Sequence, residues 1–397
     1  MTAEKEIPLL GGLRVIELAS VLAGPAVGMF LAELGAEVIK IEHFRQGGDV
    51  TRSWKLPTED RDQDRSAYFS AVNWGKISVG IDLKQAAGRA LVYRLVETAD
   101  IVLASFKPGD AEKLGLDPAT LRGRNPRLIY ADLTAYGPGD SRVGFDAIIQ
   151  AEAGFTYLNG DPGGPPTKMP VALIDLLAAH QLKEGILLAL LRRERTGRGH
   201  HVRTSLVGAA IASLANQATN WLVGGQVPQR MGSDHPNIVP YGTIFPTRDG
   251  QAIVLAVGND RQFSRLIEVL SATDLAETTD FRHNAGRVAA RAEVNARLRA
   301  HILEWDRDAL LEVLHAAHIP AGAVRDMPDI FRQPWAQMAQ LRSDAGNGVR
   351  SLALDGFAQL ELSEPPHLGA HTDAVLEKVM GLKTEEIAQL RAKSVVG

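Results

Sequence analysis

Cysteine is absent from all 397 residues, which removes disulfides, thiolate nucleophiles and cysteine metal sites together. Nucleophilic chemistry in this chain must come from oxygen or nitrogen. Nucleotide signatures are missing too: there is no Gly-x-x-x-x-Gly-Lys-Ser/Thr, and the first strand-to-helix turn carries Ala23-Gly24-Pro25 rather than Gly-x-Gly-x-x-Gly. Neither Gly-x-Ser-x-Gly nor His-Glu-x-x-His occurs, which demotes serine and zinc hydrolases. Charge is not concentrated either. The net charge is -4 and the densest basic stretch is Arg192-Arg193-Glu194-Arg195, so no nucleic-acid footprint is visible. A long charge-free apolar run is also lacking, since the best candidate, Leu173 to Leu191, holds Asp175, His180, Gln181, Lys183 and Glu184. The opening Met1-Thr2-Ala3-Glu4-Lys5-Glu6-Ile7-Pro8 has no basic start and apolar core of a secretory signal, so a cytoplasmic location is expected.

What is present is a hydrophobic content of 45%, enough for a large core, over a length that suggests two domains. Arg14 to Leu18 reads as a strand, the segment after Ala23-Gly24-Pro25 as a helix reaching Leu34, and Glu37 to Glu42 as a second strand. Strand, helix, strand in so short a span implies a parallel sheet with right-handed crossovers. Ile77 to Leu83, Ile101 to Ala104 and Leu128 to Leu133 continue as strands, with a helix from Ala86 to Thr98. Long helices are expected from about Val171 to Glu194 and from about Arg203 to Val223. Tyr241 to Pro246 and Gln251 to Val257 flank a turn and read as a hairpin, with helices at Arg261 to Leu270, Arg291 to Trp305 and Asp308 to Ala317. Short strands are expected at Leu352 to Leu354 and Gln359 to Leu362. The fold class is therefore α/β: a Rossmann-like large domain over 1–200 completed by 345–397, a helical linker 201–225, a small α+β domain 226–325 and a return linker 326–344.

Asp175 is the one residue whose placement asks for an explanation. It stands in Val171-Ala172-Leu173-Ile174-Asp175-Leu176-Leu177, among side chains that favour burial. The first turn of a helix favours an ionised carboxylate, and such a group can attack an activated acyl carbon. On local pattern alone a simple helix-capping role is the heavier reading.

Short motifs along the chain shift that balance. Gly12-Leu13-Arg14-Val15-Ile16-Glu17-Leu18, Leu34-Gly35-Ala36-Glu37-Val38-Ile39-Lys40-Ile41-Glu42, Gly48-Asp49-Val50-Thr51-Arg52, Phe106-Lys107-Pro108-Gly109, Asn125-Pro126-Arg127-Leu128-Ile129-Tyr130 and Leu368-Gly369-Ala370-His371-Thr372 resemble the class III CoA-transferases in order and spacing. The resemblance implies that Asp175 is the nucleophile, passing through an aspartyl anhydride and an aspartyl-CoA thioester, with a carboxylate fully ionised at neutral pH. It implies acyl-CoA and small carboxylic acids as partners, coenzyme A as co-substrate, no metal, and a homodimer of two interlocked rings. Ser20, Val21, Leu22, Ala23, His43, Val72, Lys76, Ser105, Phe106, Lys113 and Leu114 fall at CoA-contacting positions, and Arg142 joins them as a candidate.

Racemases of the same fold carry a histidine base where this chain has Phe145, next to Asp146, which favours transfer over racemisation. Asp146 reads either as a substrate-positioning acid or as a solvent-facing helix N-terminal acid. The glycine lid of formyl-CoA transferase is replaced here by Met231 to Gly242, a pattern closer to members that use succinyl-CoA or other dicarboxyl-CoA donors. Leu22, Phe145, Asp146, His235 and Tyr241 are implied on the substrate side. A distal carboxylate would want an arginine, and Arg52, Arg142, Arg230 and Arg261 are the candidates. The expected activity is CoA transfer between short acids, a dicarboxylate among them, with intramolecular transfer within one dicarboxyl-CoA as a variant.

Overall fold

The structure is a computed structural model that describes residues 8–344, 346–357 and 359–397. The leader reading of the first seven residues, and positions 345 and 358 of the C-terminal completion, lie outside the described residues. The chain divides into two compact units, one built from residues up to Ala153, Met169–Thr219 and Met338–Gly397, the other from Gly154–Lys168 and Asn220–Gln337.

The first unit is built on a parallel sheet of six strands: β1 (Arg14–Leu18), β2 (Glu37–Glu42), β3 (Lys76–Gly80), β4 (Ile101–Ala104), β5 (Ile129–Thr134) and β6 (His201–Ser205), in the order β3-β2-β1-β4-β5-β6. This is a doubly wound order, in which the winding reverses between β1 and β4 and opens a crevice at the carboxyl ends of those strands. Register is set by apolar runs: Ile16 pairs with Ile39 on one side and Val102 on the other, all fully buried. Helix α1 (Ala23–Glu33) connects β1 to β2 and is buried along its whole length, as expected of a helix apolar on every face. Its Glu33 accepts the amides of Ser351 and Leu352 at 2.7 and 2.9 Å, tying the C-terminal segment to the sheet. Helix α2 (Ala86–Glu97) packs its Leu91, Val92, Leu95 and Val96 against the other face.

Two expectations need correction. Residues Arg203 to Val223 do not form one helix: His201–Ser205 is the sixth strand, paired with β5 from Tyr130–His201 to Thr134–Ser205, and two shorter helices follow. The strand is partly exposed and polar, so it carries no apolar alternation to reveal it, while its β-branched Val202 and Thr204 suit a pleated edge. Leu352 to Leu354 and Gln359 to Leu362 are not strands either; the C-terminal hairpin lies earlier, at Gln340–Ser343 and Gly346–Val349. A β-ladder needs a facing partner, and those two segments have none among the described residues.

The second unit holds an antiparallel sheet of Tyr241–Pro246, Ala252–Ala256 and Ala321–Ala323 against helices that include Asp260–Leu270, Arg291–Ile302 and Arg307–Ala316. Its own core gathers Phe245, Phe263, Leu266, Leu298 and Leu314. Arg287 is fully buried there, donating to Val239 O, Phe281 O and Asp260 and standing 4.3 Å from the Phe263 ring centre.

Candidate active site

At the crevice left by the reversed winding lies a cleft of about 320 Å³, walled by Ser20 to Gly24 after β1, Ser105 to Pro108 after β4 and Leu133 to Ala135 at the end of β5. Arg142 to Phe145, Val50, Trp54 and Leu206 complete the walls, and Asp175 is the one carboxylate among the lining residues. Loops following parallel strands converge there, so short sequence motifs far apart in the chain meet in one place. Ser20 N–H donates to Ser105 Oγ at 3.1 Å and ties two of these loops together.

Asp175 occupies the first turn of the helix α4 (Leu173–Thr196), which follows the helix α3 (Asp146–Glu152) in the chain. Asp146 is buried at the start of α3: its Oδ1 accepts Ile174 N–H at 2.8 Å and its Oδ2 accepts Gln150 Nε2 at 2.7 Å. The Ile174 amide in the first turn of α4 is thus satisfied by Asp146, and among the described residues no donor is hydrogen-bonded to the Asp175 carboxylate. Burial, with the charge of Asp146 adding to it, pushes the Asp175 carboxyl up to about 7. This overturns the expectation of a fully ionised group. Desolvation of an 8% exposed carboxylate beside a second acid outweighs the favourable end of the helix. Asp146 is likewise not a solvent-facing acid.

Of the positions matched to CoA contacts, Ser20, Val21, Leu22, Ala23, Ser105 and Phe106 share the cleft with Asp175, as do Arg142 and Phe145. Others do not. Lys76 is fully buried, its ammonium held by Glu17 at 2.9 Å, Pro25 O at 2.8 Å and Asn73 Oδ1 at 2.9 Å, which leaves no face for a phosphate. Val72 is also interior. A lysine inside a core looks like any other lysine in a sequence; only its partners distinguish it. His43 is partly exposed at the end of β2, paired with Asp82 at 3.2 Å. Lys113 is exposed and bonded to Asp110 at 3.0 Å, and Leu114 packs against the main core.

His235 and Tyr241 belong to the second unit, where their rings meet edge to face at 5.2 Å. Among the arginines, Arg52 is buried on Glu42 at 2.7 Å, and Arg230 donates to Gly164 O and Tyr157 O. Arg261 lies on the second unit, and Arg142 alone of the four lines the cleft. Its guanidinium stacks 3.8 Å from the Tyr136 ring centre and pairs with Asp140.

Residue reading missed Trp54, Tyr68 and Lys107. Burial, then the charges of Asp175, Asp146 and Asp49, hold the Tyr68 phenol above its ordinary value, which sets it in the same negative field as the nucleophile candidate. Trp54 meets it edge-on at 5.0 Å. Trp54 stands two residues beyond the Gly48 to Arg52 motif and Lys107 inside the Phe106 to Gly109 motif, so motif adjacency was the available signal.

The model of the CoA-transferase family III matches residues 10–372. Succinate–glutarate CoA-transferase of Agrobacterium fabrum is 40% identical over 94% of this chain and 96% of its own length. Succinyl-CoA:mesaconate CoA-transferase of Haloarcula hispanica is 36% identical over 84% and 85%. The crystal structure of a CaiB/BaiF family protein from Brucella suis superposes with a TM-score of 0.82 at 38% identity, covering 93% of this chain and 99% of that one.

Proposed function

Since the chain belongs to CoA-transferase family III, we propose that it moves CoA from a dicarboxyl-CoA such as succinyl-CoA to a second short dicarboxylic acid, with Asp175 as the nucleophile. The ionised Asp175 carboxylate attacks the thioester carbonyl carbon, the carbon–sulfur bond breaks, and CoA leaves as thiolate, giving an aspartyl acyl anhydride. The thiolate then attacks the Asp175 carbonyl and expels the donor acid, leaving an aspartyl-CoA thioester. An acceptor carboxylate attacks that thioester, and the steps run in reverse to the new acyl-CoA. A carboxylate raised to about 7 is more basic than an ordinary one, and therefore a stronger nucleophile once ionised. Largely apolar walls limit the water that would hydrolyse the anhydride.

The observation that carries this reading is a buried carboxylate with no hydrogen-bonding donor among the described residues, opening into a cleft at the switch point of the sheet. Lys107 and Arg142 are the cations lining that cleft, and they suit the distal carboxylate of a dicarboxyl group. The relatives named for succinate, glutarate and mesaconate support the same substrate class. Incubation with a panel of acyl-CoAs followed by peptide mass spectrometry tests it. A CoA adduct on the peptide holding Asp175, formed only with certain donors, is the expected result; no adduct with any donor contradicts it.

Racemisation is the weaker reading, because no histidine is found among the described residues of the cleft wall. Deuterium exchange at the α-carbon without an acceptor acid would restore it. Transfer within a single dicarboxyl-CoA uses the same residues. The reading also carries a homodimer, supported by Leu187, Leu188 and Leu191 standing exposed along α4; sedimentation of the protein at micromolar concentration checks this.

A further inference from the structure

The loop from Ser20 to Ala23 walls the cleft, and it holds a valine in a conformation that valine avoids. Val21 has φ 72°, in the left-handed region where a β-branched side chain crowds its own backbone. Such a conformation persists where the surroundings enforce it. Here the enforcing group is Asp49. Its two carboxylate oxygens accept Val21 N–H at 3.3 and 3.2 Å, while Thr51 donates to it through N–H at 3.1 Å and Oγ1 at 2.8 Å.

Lys40 stands behind it, 2.9 Å from Asp49 Oδ2, and donates to Ala19 O at 2.9 Å, just upstream of the strained residue. Both side chains are almost wholly buried. A buried ion pair is by itself weak evidence for stability. This one sends its spare hydrogen bonds to two backbone groups of the loop, Ala19 O and Val21 N–H, that bracket the cleft-lining Ser20.

The geometry points to Asp49, backed by Lys40, as a positioning residue that locks Val21 in its left-handed conformation and so presents the Ser20 to Ala23 loop to the thioester end of CoA. The role rests on the reading of the cleft as an acyl-CoA site. Asp49 acts through Val21 and does not itself line the cleft.

A double-mutant cycle tests it, with coenzyme A as the probe and its dissociation constant read by calorimetry. Asp49→Ala weakens binding about tenfold when Val21 is present and less than about threefold in the Val21→Gly background, because glycine holds a positive φ without a clamp. The melting temperature falls with Asp49→Ala in both backgrounds, since Lys40 loses a partner either way. Equal losses of CoA affinity in the two backgrounds, or no loss in either, overturn the positioning role and leave Asp49 as fold support only. If Asp49→Ala does not fold, Asp49→Leu, similar in size and without an acceptor oxygen for Val21 N–H, carries the same comparison.

Asp100→Asn is the control. Asp100 accepts Arg14 N–H and pairs with Arg193 at the opposite end of the strands, so its loss lowers the melting temperature without changing the dissociation constant. A wild-type protein that binds no CoA would sink the acyl-CoA reading, and the positioning role with it; a wild type that binds while the cycle shows no coupling sinks the positioning role alone.

Discussion

Two groups of buried acids serve the same end of the sheet, and they are built in opposite ways. Asp175 and Asp146 are two buried carboxylates with no cation between them among the described residues, and burial first, then the charge of Asp146, raises the nucleophile candidate to about 7. In the other group, Glu17, Glu42 and Asp49 are interleaved with Lys40, Lys76 and Arg52, and every carboxylate has a charged partner within 2.9 Å. Burial opposes the charge of Lys40, yet Glu17, Asp49 and Glu42 outweigh it and hold the ammonium above its ordinary range. Gly28 makes room for the arrangement, because a Cβ there would stand 1.9 Å from a Glu17 oxygen. Compensated charge fixes geometry, whereas uncompensated charge stores reactivity.

The largest expected effect falls on the uncompensated side. Asp175→Ala loses transfer by about a thousandfold or more in a coupled acyl-CoA assay, while folding is retained. Asp175→Asn sharpens the contrast through stability. A carboxylate raised in the folded state stabilises below its unfolded value, near 4, and loses that contribution as pH climbs through about 7. By denaturant titration the asparagine variant should therefore be more stable than wild type at pH 8, by an amount on the order of 2 to 4 kcal/mol, and close to wild type at pH 4.

On the compensated side the sign reverses. Lys76→Met strands Glu17 Oε2 and leaves Pro25 O and Asn73 Oδ1 without their donor, for a loss of about 3–5 kcal/mol by denaturant titration. A stability unchanged or raised would mean that the cluster is not held by paired charge.

Why one group was partly legible in the sequence and the other was not follows from the same contrast. The apolar runs of β1, β2 and β4 and the Ala23-Gly24-Pro25 helix start are local patterns, and the structure places those elements within a residue or two of their expected limits. Asp175 could be singled out because an acid among the apolar side chains that open its helix is also a local anomaly. Its ionisation could not be read, because both its burial and the nearness of Asp146 are produced only by the fold. Lys76 failed for a related reason: its partner Glu17 is 59 residues away, and nothing in the residue type marks an ammonium as interior. The polar edge strand β6 was hidden because its five residues, His201–Ser205, hold a single aliphatic side chain, Val202, too few to show a period.

Smaller effects probe the two acids and the cleft cation. Asp146→Asn removes the neighbouring charge while an amide oxygen can still accept Ile174 N–H, so the pH midpoint of kcat/KM moves down from about 7 but stays above the ordinary carboxylate value, because burial is the larger cause. A midpoint that does not move would mean that the Asp146 charge does not act on Asp175. Arg142→Ala raises KM for a dicarboxylate acceptor by about tenfold, and that for a monocarboxylate much less; equal changes would show that the guanidinium does not read the distal carboxylate.

In the proposed mechanism Asp175 takes the acyl chain, and its own ionisation sets the rate. Single-turnover formation of the covalent CoA adduct, followed by mass spectrometry across pH 4 to 9 at saturating donor, tests this most directly. The rate is expected to rise with pH to a plateau with a midpoint near 7, with the adduct on the peptide containing Asp175, and no adduct is expected in Asp175→Asn. A flat rate from pH 5 upward, or an adduct that survives in Asp175→Asn, would contradict it.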